Sequence, residues 1–141
     1  IMIIDETDNT DYFLYKYKLP KEEKKRIKFI HKYFSKPMDN YFFNKDNLWK
    51  VYYLNNKTYL EDLINFKIFK SKSQSAKFIN LKKYFSDKTC PKFPVKAETL
   101  INNYNLKAGK DLGIKLKEIE TTWLNNNFQI SDDEIEHIVK N

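Results

Sequence analysis

Only two glycines, Gly109 and Gly113, occur in the 141 residues, beside four prolines. Glycine is the residue that enters the φ > 0 conformations of tight hairpin turns and lets a backbone approach a phosphate closely. A hairpin-rich β fold, a dinucleotide-binding glycine fingerprint and a P-loop are therefore disfavoured together. The rest of the chain supports a real core. At 17.1 kDa it should bury roughly two-thirds of its unfolded surface, and a composition 41% hydrophobic and 16% aromatic supplies the apolar area that offsets chain entropy.

Charge gives a second constraint. Twenty-six basic residues face 19 acidic ones, for a net charge of +7 and a pI near 9.3, which suits a polyanionic partner. Arg26 is the only arginine, and the wealth of Lys, Asn, Ile, Phe and Tyr is also what AT-rich codons produce. The sum alone does not separate these causes, so placement must. The single cysteine, Cys90, excludes an internal disulfide framework and fits a reducing, cytoplasmic setting. No apolar run approaches the ~20 residues of a membrane span, and no secretory signal pattern is present, so no membrane association is expected. A first residue of Ile1 in place of Met leads one to expect a chain cut from something longer.

Helical periodicity dominates from Leu19 onward. Residues 1–18 pass from an apolar opening through a polar patch, Asp5 to Asp11, into a tyrosine-rich segment, and read as irregular or weakly helical. A helix is expected from Leu19-Pro20 to about Phe34, with Ile27, Ile30 and Phe34 inward. Others are expected over 46–54, from Thr58, and over 75–85, with Leu48, Val51 and Tyr52, then Leu60, Leu63, Ile64 and Ile68, then Phe78, Leu81 and Phe85 inward. Thr58-x-x-Glu61 reads as a capping box. The Pro-containing stretch 87–94 marks a boundary, giving a helical body-like unit over 1–88 and a tail-like unit over 89–141. In the latter, helices are expected over 97–104, ended by Asn105, over 110–126, and from Ser131, where Ser131-x-x-Glu134 forms another capping box. The expected class is all-α, with a C-terminal helical hairpin.

Catalytic constellations are missing. Metal-dependent nucleotidyl transfer needs nearby carboxylates to hold ions, and Asp132-Asp133 are adjacent residues in a helix's first turn, where acids serve the dipole. His31, His137 and Cys90 lie in no metal-ligand spacing. No catalytic or metal-binding residue is assigned. Asn56-Lys57-Thr58 matches the glycosylation pattern, yet Thr58 is better spent as a cap.

Lys21, Lys25, Lys28 and Lys32 recur at helical spacing opposite the apolar stripe. Four ammonium groups in a row can follow a phosphate backbone, although amphipathic helices also expose such lysines to water alone. Lys82, Lys83, Lys107 and Lys110 are further candidates. Tyr12, Phe13, Tyr15 and Tyr17 could stack on bases, but core packing is the favoured reading. Gly109 precedes a helix whose free amides could face an anion, Asp111 weakens that idea, and Gly113 would permit close approach of another backbone.

The most specific stretch runs Phe93-Pro94-Val95, Leu100-Ile101, Leu106, Gly109, Leu112-Gly113, Leu116 and Trp123. It resembles the C-terminal region of bacterial tRNA nucleotidyltransferases, the CCA-adding enzymes, and of the related bacterial poly(A) polymerases, over residues 93–128. Ala97, Thr99, Asn105 and Ala108 depart from the family's Gly, Asp, Gly and Pro; Asn105 keeps the backbone logic, whereas Thr99 loses a carboxylate. The resemblance implies a piece of a larger multidomain enzyme. The parent would add or repair the 3′-terminal CCA of tRNA, and this piece would bind tRNA while being inactive alone. Its partners would be tRNA and the catalytic head and neck of the same polypeptide, with Mg2+, CTP and ATP handled by that head. Glu61-Asp62 superficially matches the neck's template but lacks its arginine, so no base-reading role transfers. The alternatives are a poly(A) polymerase fragment and a non-catalytic helical protein-interaction module.

Overall fold

The computed structural model describes residues 9–34, 42–71 and 75–140. Among them are eight helices and no strand, an all-α fold. The apolar opening of the chain and most of its polar patch lie outside the described residues, as does the Phe34 side chain. Two compact units divide the chain, Ile1–Cys90 and Pro91–Asn141, with the break two residues beyond position 88.

The first unit holds α1 (Thr10–Lys16), α2 (Lys21–Phe34), α3 (Lys45–Asn55), α4 (Lys57–Lys70) and α5 (Ser75–Ser86). α4 is central and packs against α2, α3 and α5. A helix touched on several sides must be apolar on more than one face, and Leu60, Leu63 and Ile64 are all fully buried there. Leu48 and Phe78 are equally buried, and Phe43 meets Phe78 edge-to-face at 5.4 Å. The inward positions expected for α3 and α5 are buried, whereas Ile27 and Ile68 are only partly covered.

Two local expectations need correction. Thr10–Lys16 is a formed helix, with Thr10 and Leu14 buried, where the sequence read as irregular or weakly helical. The cap of α4 is Asn56 and not Thr58: the Asn56 side chain accepts from the Thr58 and Tyr59 amides. Asn56 also ends α3, donating its own amide to the Tyr52 carbonyl at 2.9 Å, and it does both at φ 82°. One Asn serving two helices leaves no linker between them, which a capping-box pattern counted from Thr58 does not reveal.

Polar contacts fasten this unit across its helices. Arg26 of α2 grips Asp62 of α4 through two parallel bonds, Nε to Oδ2 at 2.6 Å and Nη2 to Oδ1 at 2.8 Å. That paired carboxylate holds the guanidinium above its ordinary pKa, chiefly through the hydrogen bond. The only arginine is thus committed to structure. Thr10 Oγ1 lies 2.9 Å from His31 Nδ1 and joins α1 to α2, and the Tyr52 hydroxyl donates to the Lys88 carbonyl at 3.1 Å.

The second unit contains α6 (Ala97–Tyr104), α7 (Lys110–Asn125) and α8 (Asp132–Lys140). Leu100, Leu112, Ile119 and Ile135 form its buried core, flanked by Phe93, Val95, Ile101, Leu106 and Leu116. Its turns are dictated locally. Asn105 ends α6 in the left-handed conformation at φ 55°. Past α7, Asn127 is left-handed at φ 52° and the Phe128 amide donates to the Trp123 carbonyl at 2.8 Å, the bond of a Schellman ending. The Phe128 ring meets Trp123 at 4.9 Å, and Phe93 covers Trp123 from 5.4 Å. Ser131 then caps α8 reciprocally: its amide donates to Glu134 Oε2 at 2.9 Å while the Glu134 amide donates to Ser131 Oγ at 3.2 Å.

Candidate nucleic-acid interface

Lys21, Lys25, Lys28 and Lys32 stand exposed in one row along α2. The helix is turned this way because Ile30 and Arg26 face the body, Ile30 into the core and Arg26 onto Asp62. Lys25 donates to Glu22 at 2.7 Å, which raises its pKa, and Lys28 approaches Asp11 only to 3.9 Å. Lys21 and Lys32 make no ion pair among the described residues. Lys82 and Lys83 are exposed on α5, on another side of α4, where Lys82 Nζ donates to Asn65 at 2.8 Å. Lys107 and Lys110 are exposed in the second unit, beside Asp111.

The distribution of charge between the units is uneven. Residues 1–90 carry 19 basic and 11 acidic side chains, net +8, whereas 91–141 carry 7 and 8, net −1. Within the first unit, α1, α2 and their connection contribute eight basic against three acidic residues. The positive charge of the chain is therefore a property of one unit, in which residues 63–86 add six lysines and no acidic residue to the charge of the lysine row.

Beside that row the tyrosine segment departs from expectation. Core packing was expected for Tyr12, Phe13, Tyr15 and Tyr17; Phe13 is partly buried, but Tyr12, Tyr15 and Tyr17 are 64%, 87% and 46% exposed. The inward positions of α1 are Thr10, Phe13 and Leu14, so helical geometry turns Tyr12 and Tyr15 outward. Lys16 Nζ sits 5.9 Å from the Tyr12 ring centroid and 5.8 Å from that of Tyr17. Reading 10–17 as a helix would have found this surface; counting aromatic residues could not.

Other candidate sites are already satisfied or empty of chemistry. Asp133, Glu134 and His137 line a shallow depression with Thr122, but the Glu134 carboxylate is held by Ser131 and by Asn126, whose amide donates at 2.7 Å. These bonds, the Ser131 amide first, keep Glu134 below its ordinary pKa. Among the described residues no group of three metal-ligating side chains occurs. Burial pushes the Cys90 thiol upward, away from the reactive thiolate. Gly113 also departs from expectation: nothing lies within 4 Å of where a Cβ would stand, because α7 packs through Leu112, Leu116 and Ile119. No close backbone approach requires that glycine. Gly109 caps α7 without a side-chain acceptor, and its surroundings are equally open. No described helix is long and apolar enough to cross a membrane.

Together these features define an all-α chain with a basic, tyrosine-bearing surface on its first unit. No family model, curated protein or solved structure matches it.

Proposed function

We propose that this chain is the tRNA-docking C-terminal region of a tRNA nucleotidyltransferase, working with a catalytic head that adds the 3′-terminal CCA from CTP and ATP. The observation that carries the reading is the assembly of the resemblance-bearing residues into one packed feature. Phe93, Leu100, Leu106, Leu112 and Leu116 share a single core, and Trp123 stands between Phe93 and Phe128 where α7 ends. Pro94, Gly109 and Gly113 are exposed on the same unit. The electrostatic part of docking belongs to the first unit, with its surplus of eight charges.

In this reading the α2 lysines follow the phosphates of a paired RNA stem. Recognition is by backbone and shape, because the deep, narrow major groove of A-form RNA hides its base edges from side chains. Lysines suit that task, since ammonium groups neutralise phosphates without demanding a particular base. The chain would hold the substrate and carry no chemistry of its own; Mg2+ and nucleotides would be bound by the head.

A salt titration with a tRNA acceptor minihelix tests this. Affinity should fall with salt, and replacing Lys21, Lys25, Lys28 and Lys32 together by Gln should lower the log–log slope by about 3. An unchanged slope would remove the row from the interface. Incorporation of labelled CMP by the chain alone would overturn the assignment of chemistry to a separate head.

A further inference from the structure

We propose that the α1–α2 face of the first unit is a single-stranded RNA site, with unpaired bases stacking on Tyr12 and Tyr15 while the α2 lysines neutralise the strand. The choice of RNA over DNA rests on the docking reading above; the stacking platform rests on this surface alone.

Three observations converge. First, large aromatic rings left in water give up burial energy that the neighbouring core would supply, yet Tyr12 and Tyr15 are 64% and 87% exposed although Leu14 between them is buried. Second, the two residues are three apart on one helix, which places their Cβ atoms roughly 5–6 Å apart and lets each ring take its own base. Third, the cations lie where a backbone would run. Asp11 precedes Tyr15 by one helical turn and faces Lys28 at 3.9 Å, so Tyr15 flanks the lysine row. Lys16 stands between the Tyr12 and Tyr17 rings, and Lys21 and Lys32 have no ion-pair partner among the described residues.

The combination selects the ligand. A base inside a duplex has both faces covered by its neighbours, so a ring set along the side of a stem has no base face to meet and stacks on an unpaired base instead. Lysine alone would accept any polyanion, and tyrosine alone any flat apolar group. Alternating both along one surface describes a strand that offers phosphates and free bases together.

The test compares three labelled probes on the full chain: an oligoadenylate of about 12 nucleotides, the same strand with abasic sites, and a blunt RNA minihelix. The oligoadenylate should bind more tightly than its abasic counterpart. Tyr12→Ala and Tyr15→Ala should each weaken oligoadenylate binding about fivefold or more and leave minihelix binding unchanged. Tyr12→Phe and Tyr15→Phe should restore it, since they keep the ring face. Both positions are exposed, and far-UV helicity monitors the fold of each variant. Equal affinity for the abasic strand, or alanine variants that bind oligoadenylate like the parent, would overturn the stacking platform. So would binding to anionic lipid vesicles with none to oligoadenylate. Minihelix binding without strand binding would overturn this inference and leave the docking reading standing; strand binding without minihelix binding would do the reverse.

Discussion

The two units reach similar helical architectures by different means. In residues 91–141 the helix ends are set by signals that act within a few positions, Asn105 turning left-handed after α6, a Schellman ending around Asn127 and the reciprocal Ser131–Glu134 cap, while apolar contacts such as Phe93 with Trp123 close the core. Residues 1–90 depend on contacts between positions distant in sequence, such as Arg26 with Asp62, Thr10 with His31 and Tyr52 with Lys88. The charge divides along the same line, +8 against −1. The unit whose helix ends are most easily read is nearly neutral, and the other carries the chain's positive charge.

The sharpest way to break this comparison is Trp123→Ala. Removing a buried ring held between Phe93 and Phe128 should cost about 3–5 kcal/mol, enough to melt a unit of this size. Amide exchange should then show protection lost in 91–141 and retained in 1–90. Uniform loss across the chain would mean that the units do not unfold separately.

A smaller effect is expected from Asn56→Ala in the first unit. Asn56 caps α4 at φ 82°, so alanine loses an N-cap and must occupy strained backbone. A cost of about 2 kcal/mol in urea unfolding is expected, while Thr58→Ala, which removes no cap of α4, should cost much less. Comparable losses from both would restore Thr58 as the cap.

Gly113→Ala should act in the opposite direction. The position is helical, exposed and open around the absent Cβ, so alanine should stabilise the second unit by about 0.5–1 kcal/mol. A destabilised variant would point to a packing role that the open surroundings do not suggest.

The smallest effect concerns acid. Hydrogen bonds from Ser131 and Asn126 depress the Glu134 pKa, so the stability it lends α8 is present above the ordinary carboxyl range and is lost as pH falls through the lowered folded value. Glu134→Gln should flatten the acid limb of stability measured against pH. An unaltered acid limb would detach the cap from that pH dependence.

Much of the fold was legible in the amino-acid order. The 97–104 helix matches α6 end for end, and the ends of α3, α5 and α7 fall within one residue of expectation. Helix ends are announced by residues that answer the unpaired amides and carbonyls of the first and last turns. The misses have equally definite causes. Asn56 displaced Thr58 as a cap because one residue served two helices, and Gly113 was assigned a packing role that α7 fulfils with other side chains. Of the candidate lysines, the four on α2 share one face, whereas Lys82 and Lys83 stand on a different helix and Lys107 and Lys110 in a different unit. The outward tyrosines were missed because aromatic content favours burial on average and says nothing about one helix.

By itself, the sequence determined that this chain is helical, where most helices start and stop, and that its glycines fall in a single segment. Those properties follow from backbone preferences and hydrogen-bonding groups within a turn or two of each residue. Which side of α1 meets solvent, which acid takes the sole arginine, and which lysines stand together were decided only by the tertiary structure. Exposure and pairing depend on neighbours many residues away, and packing the apolar face of each helix leaves its opposite face to water, tyrosines included.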